Sequence, residues 1–227
     1  MGDRNEQAVK MMQEGKIEDA ANLLNEEIEE NPNDPIAYIN FGNLLAAVHE
    51  DEKAVKFYDR ALELDEALGT AYYGKGNVLY NLEKYDEAIQ SYQKAIDVSL
   101  TESDVYYMLG MCYYMKEEFA RALPSLQRAV ELANDDVDAQ FYYGLTLAQT
   151  SFIDEAMEAF QKVIELDQKH ADAYFNLGVG YAYKDDAKTA LDFFNRALEA
   201  QPDHALSANG KKQMEQVLYG EGENEAE

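Results

Sequence analysis

A thirty-four-residue period runs through the chain without insertion or deletion, and it restricts the fold more than any other feature. Its eighth position is small in every copy: Ala8, Gly42, Gly76, Gly110, Gly144 and Gly178. Alanine stands twelve residues further on, as Ala20, Ala54, Ala88, Ala122, Ala156 and Ala190. Four residues later comes a large apolar side chain: Leu24, Tyr58, Tyr92, Leu126, Phe160 or Phe194. Fixed-period self-similarity of this length predicts a repeat array, in which each unit buries its face against its neighbours. The copies are 1–34, 35–68, 69–102, 103–136, 137–170 and 171–204.

Within each copy the pattern predicts two helices and a short turn. In the third, apolar residues at helical spacing run over Thr70–Asn81, and a second pattern runs from Tyr85 to about Val98. The polar stretch Asn81-Leu82-Glu83-Lys84 between them has the length of an αα-hairpin connection. Breakers and caps mark the boundaries, as in Asn31-Pro32-Asn33-Asp34-Pro35, Asn134-Asp135-Asp136 and Gln201-Pro202-Asp203. No period-two run argues for a strand, so the expected fold is all-α. Residues 205–219 predict one further helix, polar enough to cap the array, and 220–227 an acidic, frayed tail.

Composition narrows the partners. Against 19 basic residues stand 45 acidic ones, a formal charge of −26. Nucleic acid and anionic membrane surfaces both need a basic footprint, so neither is expected as a partner. The N-terminus has no apolar leader and no stretch approaches a membrane span, which makes the cytoplasm the expected compartment. Cys112 is the single cysteine and reads as a small buried apolar residue. His49, His170 and His204 read as lying at different repeat positions, with no metal-ligand spacing among them. Gly74-Lys75-Gly76 falls inside a helical pattern, not a phosphate loop, and no nucleophile arrangement is evident. Neither a cofactor, a metal nor an enzymatic activity is expected.

The small eighth position, the alanine at the twentieth, the aromatic or leucine at the twenty-fourth and the small twenty-seventh (Ala61, Ala95, Ala129, Ala197) resemble the tetratricopeptide repeat. So do whole stretches such as Phe57-Tyr58-Asp59-Arg60-Ala61-Leu62-Glu63-Leu64-Asp65. The resemblance implies a right-handed α-solenoid superhelix of six helical hairpins, a protein-interaction role and no catalysis. It also implies that the inner surface, built by the first helices, holds an extended peptide or a partner helix. Some members of that family clamp a terminal carboxylate with two lysines, an arginine and asparagines. Here the corresponding places carry Asn5, Val9, Asn40, Thr70 and Gly74, which disfavours such ligands. Departures from the pattern include Glu27 and Val163 at the twenty-seventh position, Lys75 at an apolar one, and Pro124 inside a second helix. A proline there costs about 3 kcal/mol or forces a kink.

The period also serves as a ruler for direction. At 100° per residue, positions 4, 7, 8 and 11 of each first helix share the face that meets the second helix. Positions 2, 5, 6, 9, 12 and 13 share the opposite arc, which a lone hairpin would leave polar. Here it is largely apolar and aromatic. The second repeat offers Ile39, Asn40 and Asn43, the third Tyr73, Asn77, Tyr80 and Asn81, and the fourth Tyr107, Met108, Met111, Tyr114 and Met115. Phe141, Tyr142 and Leu145 follow in the fifth, and Phe175, Asn176, Val179 and Tyr183 in the sixth. Second helices carry polar outer faces instead, as in Lys53, Lys56, Asp59 and Arg60.

So large an apolar arc predicts a binding groove, strongest in the third to fifth repeats. Tyrosine and methionine offer adaptable contact area, and asparagine can pair with a peptide backbone as donor and acceptor. No arc position carries Lys or Arg, while Asp104, Asp138 and Asp172 recur at its edge. The expected ligand is therefore a neutral to basic protein or peptide with apolar anchors. The leading function is a non-enzymatic scaffold that binds a partner segment in this groove. A chaperone for a secreted or aggregation-prone client is the alternative. A peptide-sensing regulator ranks third, for want of an effector domain beside the array.

Overall fold

A computed structural model describes residues 4–220, so the expected tail beyond Gly220 lies outside the described residues. Those residues form helices and no strand, in two compact units that meet in sequence at Glu118 and Phe119. The first unit holds α1 (Arg4–Gln13), α2 (Ile17–Glu30), α3 (Pro35–Ala47), α4 (Asp51–Leu64), α5 (Gly69–Asn81), α6 (Tyr85–Asp97) and α7 (Ser103–Met115). The second holds α8 (Phe119–Leu132), α9 (Val137–Gln149), α10 (Ile153–Leu166), α11 (Ala171–Tyr183), α12 (Ala187–Ala200) and α13 (Ala205–Tyr219). In each unit every helix packs on the next, and in the first unit α1, α3, α5 and α7 also touch one another in turn.

The periodic small residue has a direct packing cause. A Cβ added at Gly42 would lie 2.9 Å from the Tyr58 ring, and one at Gly76 2.6 Å from Tyr92. Gly144 faces Phe160 at 2.8 Å and Gly178 faces Phe194 at 2.6 Å in the same way. Four second helices, α4, α6, α10 and α12, thus each lay a ring against the backbone of their own first helix, at an approach no side chain permits. The first repeat pairs the smaller Leu24 with Ala8, and both are fully buried. The twentieth-position alanines are buried as well.

The hairpin turns are equally regular. Gly15, His49, Glu83, Glu117, Ser151 and Asp185 all occupy the fifteenth position, and all have positive φ between 58° and 75°. Each ends a first helix in the left-handed conformation, and the next residue donates its N–H five residues back, as Lys84 does to Leu79 at 2.9 Å. Only one of the six is a glycine, so five turns hold a side chain where glycine is the unstrained choice.

Helix starts divide less evenly. The thirty-fourth position supplies the N-cap, with Asp34 accepting from the Ile36 N–H at 3.0 Å and Asp136 from Ala139 at 3.0 Å. Leu68 and Glu102 make no side-chain cap. Lys75, where the repeat expects an apolar residue, reaches across to Asp59 at 2.6 Å and keeps its charge paired. Pro124 is exposed inside α8, which stays helical from Phe119 to Leu132. Cys112 is fully buried, and burial pushes its thiol up to about 12, which leaves it protonated and inert at neutral pH.

Candidate functional site

In the first unit, five of the side chains expected on the groove converge. Ile39, Asn43, Tyr73, Asn77 and Asn81 line one crevice of about 350 Å³ with Ala46, Tyr58, Thr70, Gly74 and Val78. It lies along the neighbouring first helices α3 and α5. Gly74 opens it: a Cβ there would fall 2.7 Å from the Tyr58 ring and 2.8 Å from its hydroxyl. The phenol end of Tyr58, on α4, therefore passes between the two first helices to the crevice floor.

Hydrogen bonds tie the crevice wall to the core. The Tyr58 hydroxyl donates to Asn43 Oδ1 at 2.6 Å, and the Tyr92 hydroxyl donates to Asn77 Oδ1 at 2.7 Å. Burial raises both phenols well above the ordinary tyrosine range, so each keeps its proton to donate. Tyr73 is raised too, first by burial, while the neighbouring Asn77 amide opposes that shift as a donor would. Its ring sits 6.0 Å from that of Tyr92.

Three expected groove residues are nearly buried, although Ile39 still lines the crevice. Ile39, Asn40 and Met111 are each less than a tenth exposed. Asn40 donates to Asn5 Oδ1 at 3.2 Å, and Asn5 donates to Asp34 at 2.9 Å, so this amide joins α3 to α1 and offers no clamp to a ligand. Asn176 donates back to the Asp172 carbonyl at 2.8 Å within its own helix. Asn40 is covered because first helices of the first unit touch one another, and the single-helix arc takes no account of that neighbour.

Other expected residues are half-buried or exposed without forming one enclosed cavity. Tyr80 meets Tyr85 edge-on at 5.5 Å, while Tyr107, Met108 and Tyr114 are half-buried along α7 and Met115 is exposed at its end. In the second unit, Phe141 packs on Phe160, Tyr142 and His170, Leu145 is half-buried, and Phe175 packs on Phe194 and His204. Val179 and Tyr183 are open to solvent, Tyr183 at 74%. Asp104 and Asp138 are exposed, and Asp172 accepts from His204 Nε2 at 2.9 Å.

The repeats match the family model described as tetratricopeptide repeat over residues 8–68, 68–135, 107–171 and 144–205. The chain belongs to the tetratricopeptide-repeat family. It is similar to a solved structure of YrrB, described as a TPR protein with an unusual peptide-binding site. Identity is 47%, the TM-score 0.79, and the match covers 83% of this chain and 97% of that one. A solved structure of MamA follows at 27% identity and TM-score 0.68, covering 72% of this chain and 96% of that one. PilF of Pseudomonas aeruginosa shares the fold at 17% identity and TM-score 0.78, over 92% of this chain and 96% of its own. No curated protein matches the chain. Tetratricopeptide-repeat proteins generally mediate protein–protein interaction, and this chain carries that scaffold.

Two features escaped the sequence reading. His170 and His204 do share a repeat position, the thirty-fourth, where each caps a helix through Nδ1, accepting from Ala173 at 3.2 Å and from Ser207 at 3.1 Å. Counting on past residue 204 also puts Leu206 and Val217 of α13 at the second and thirteenth positions. They stand 60% and 65% exposed. No described helix is long and apolar enough to cross a membrane.

Proposed function

We propose that this chain is a non-enzymatic interaction scaffold that holds a segment of a partner protein against its first helices, with the crevice of the first unit as the centre of the site. The observation that carries this reading is the crevice itself. Its rim residues Asn43 on α3 and Thr70, Tyr73, Asn77 and Asn81 on α5 converge on one concavity. A cleft with apolar walls and a few convergent polar groups is the usual form of a ligand site. The likeness to YrrB, described by its peptide-binding site, supports the same reading.

The ligand chemistry follows from what surrounds the crevice. Amides and a phenol supply hydrogen bonds, and no arc position supplies a cation to pair with an anionic segment. A neutral to basic segment suits the formal charge of −26, which also speeds its approach.

A random twelve-residue peptide library panned on the full chain tests the proposal. Selected peptides should bind the wild type, lose affinity on Tyr73→Ala with Asn81→Arg, and tolerate Lys56→Glu with Arg60→Glu on the outer face of α4. The opposite pattern, with loss on α4 and tolerance in the crevice, overturns it.

A further inference from the structure

Across the six repeats, asparagine stands at the ninth position only where tyrosine stands at the twenty-fourth. The pairs are Asn43 with Tyr58 and Asn77 with Tyr92. The other four repeats hold Val9 with Leu24, Met111 with Leu126, Leu145 with Phe160 and Val179 with Phe194, with neither amide nor hydroxyl. A buried phenol needs an acceptor, and Asn43 and Asn77 are the acceptors that Tyr58 and Tyr92 have. That need fixes which way each amide points. With Oδ1 turned inward to the hydroxyl, the NH2 group is the end left for the crevice.

We propose that Tyr58 and Tyr92 are positioning residues, which orient Asn43 and Asn77 so that the crevice of the first unit presents hydrogen-bond donors and recognises the main-chain carbonyl oxygens of an extended peptide. The proposal rests on the groove reading and sharpens it. Asparagine free to rotate would pair with backbone N–H or C=O alike, whereas asparagine held by a buried phenol selects the carbonyl. Thr70 and Asn81 on the rim add hydroxyl and amide groups. A ligand read in this way is held through its backbone rather than by its side chains.

The test uses a peptide selected on the wild-type chain from the random library, resynthesised with single backbone changes. N-methylation removes a peptide N–H and leaves the carbonyl, while a thioamide weakens the carbonyl as acceptor. Donor-only recognition predicts that N-methylation at the contact positions changes affinity by less than about twofold, and that thioamide substitution there costs about tenfold, the worth of one to two hydrogen bonds. The protein side is the double transplant of the fifth-repeat pair, Tyr58→Phe with Asn43→Leu and Tyr92→Phe with Asn77→Leu. It should fold, lose about tenfold in affinity, and no longer distinguish thioamide from amide.

N-methylation that abolishes binding while thioamides are harmless overturns the proposal, and that comparison needs no variant to fold. A transplant that binds as tightly as wild type overturns it too. If the selected peptide ignores Tyr73→Ala with Asn81→Arg, the groove reading itself fails, and this proposal with it.

Discussion

The two units carry one repeat and decorate it differently. In the first, Tyr58 and Tyr92 close two of the three hairpins, and each hydroxyl ends on an asparagine at the crevice. In the second, Phe160 and Phe194 fill the same place and face Gly144 and Gly178 without any polar atom. The first unit caps α3 with Asp34, and the second caps α9 with Asp136 but α11 and α13 with His170 and His204, whose rings also pack on Phe141 and Phe175 at 4.5 and 5.5 Å. Solvent-open apolar side chains gather late in the second unit, at Val179, Tyr183, Leu206 and Val217. Hairpin packing therefore needs only volume at the twenty-fourth position. Adding an oxygen there is a separate choice, made where an amide can receive it.

The contrast breaks most visibly if the shared part is removed. Phe194 lies between the Gly178 and Gly210 backbones, and Phe194→Ala should destabilise the chain by about 3–5 kcal/mol in urea unfolding. A loss below 1 kcal/mol would mean that the ring is not what closes the hairpin.

Next comes the oxygen alone. Phe160→Tyr puts a buried hydroxyl opposite Leu145, where no amide waits, and should cost about 1–3 kcal/mol. Adding Leu145→Asn should recover most of that loss, because the pair then copies Tyr58 with Asn43. A double variant no better than the single one would show that the two positions are not coupled.

Smaller effects test the caps and turns. His170→Ala removes the acceptor for the Ala173 N–H and should cost about 1 kcal/mol, while His170→Asp should keep the cap as Asp136 does. Glu83 holds φ of 58°, so Glu83→Gly should raise stability by about 1 kcal/mol or less, read as a higher midpoint in thermal unfolding.

Much of this was legible beforehand because the period is strict. α5 and α6 fall at Gly69–Asn81 and Tyr85–Asp97, close to the stretches that their apolar spacing marks. The burial of Ile39, Asn40 and Met111 was not legible. A helical wheel gives direction about one axis, and it does not say that α1, α3, α5 and α7 stand near enough to touch one another in turn. Nor did asparagine at the ninth position announce its partner, since a side-chain amide on an exposed arc reads equally well as solvated. The link appears only when the Tyr58 ring is seen crossing between α3 and α5 beside Gly74. The histidine caps could have been found, because dividing 170 and 204 by the period returns the same position.

The central claim is that a partner segment lies on the first-helix face of the first unit and is met there by the Asn43 and Asn77 amides. Side-chain amide resonances of asparagine are resolved in a nitrogen–proton correlation spectrum, so adding a library-selected peptide reports on both directly. The predicted result is a saturable shift of the Asn43, Asn77 and Asn81 side-chain amides, with the backbone amides of Lys56 and Arg60 unmoved. Shifts confined to Lys56, Arg60 and the outer faces of second helices, with those three asparagines unmoved, would contradict it.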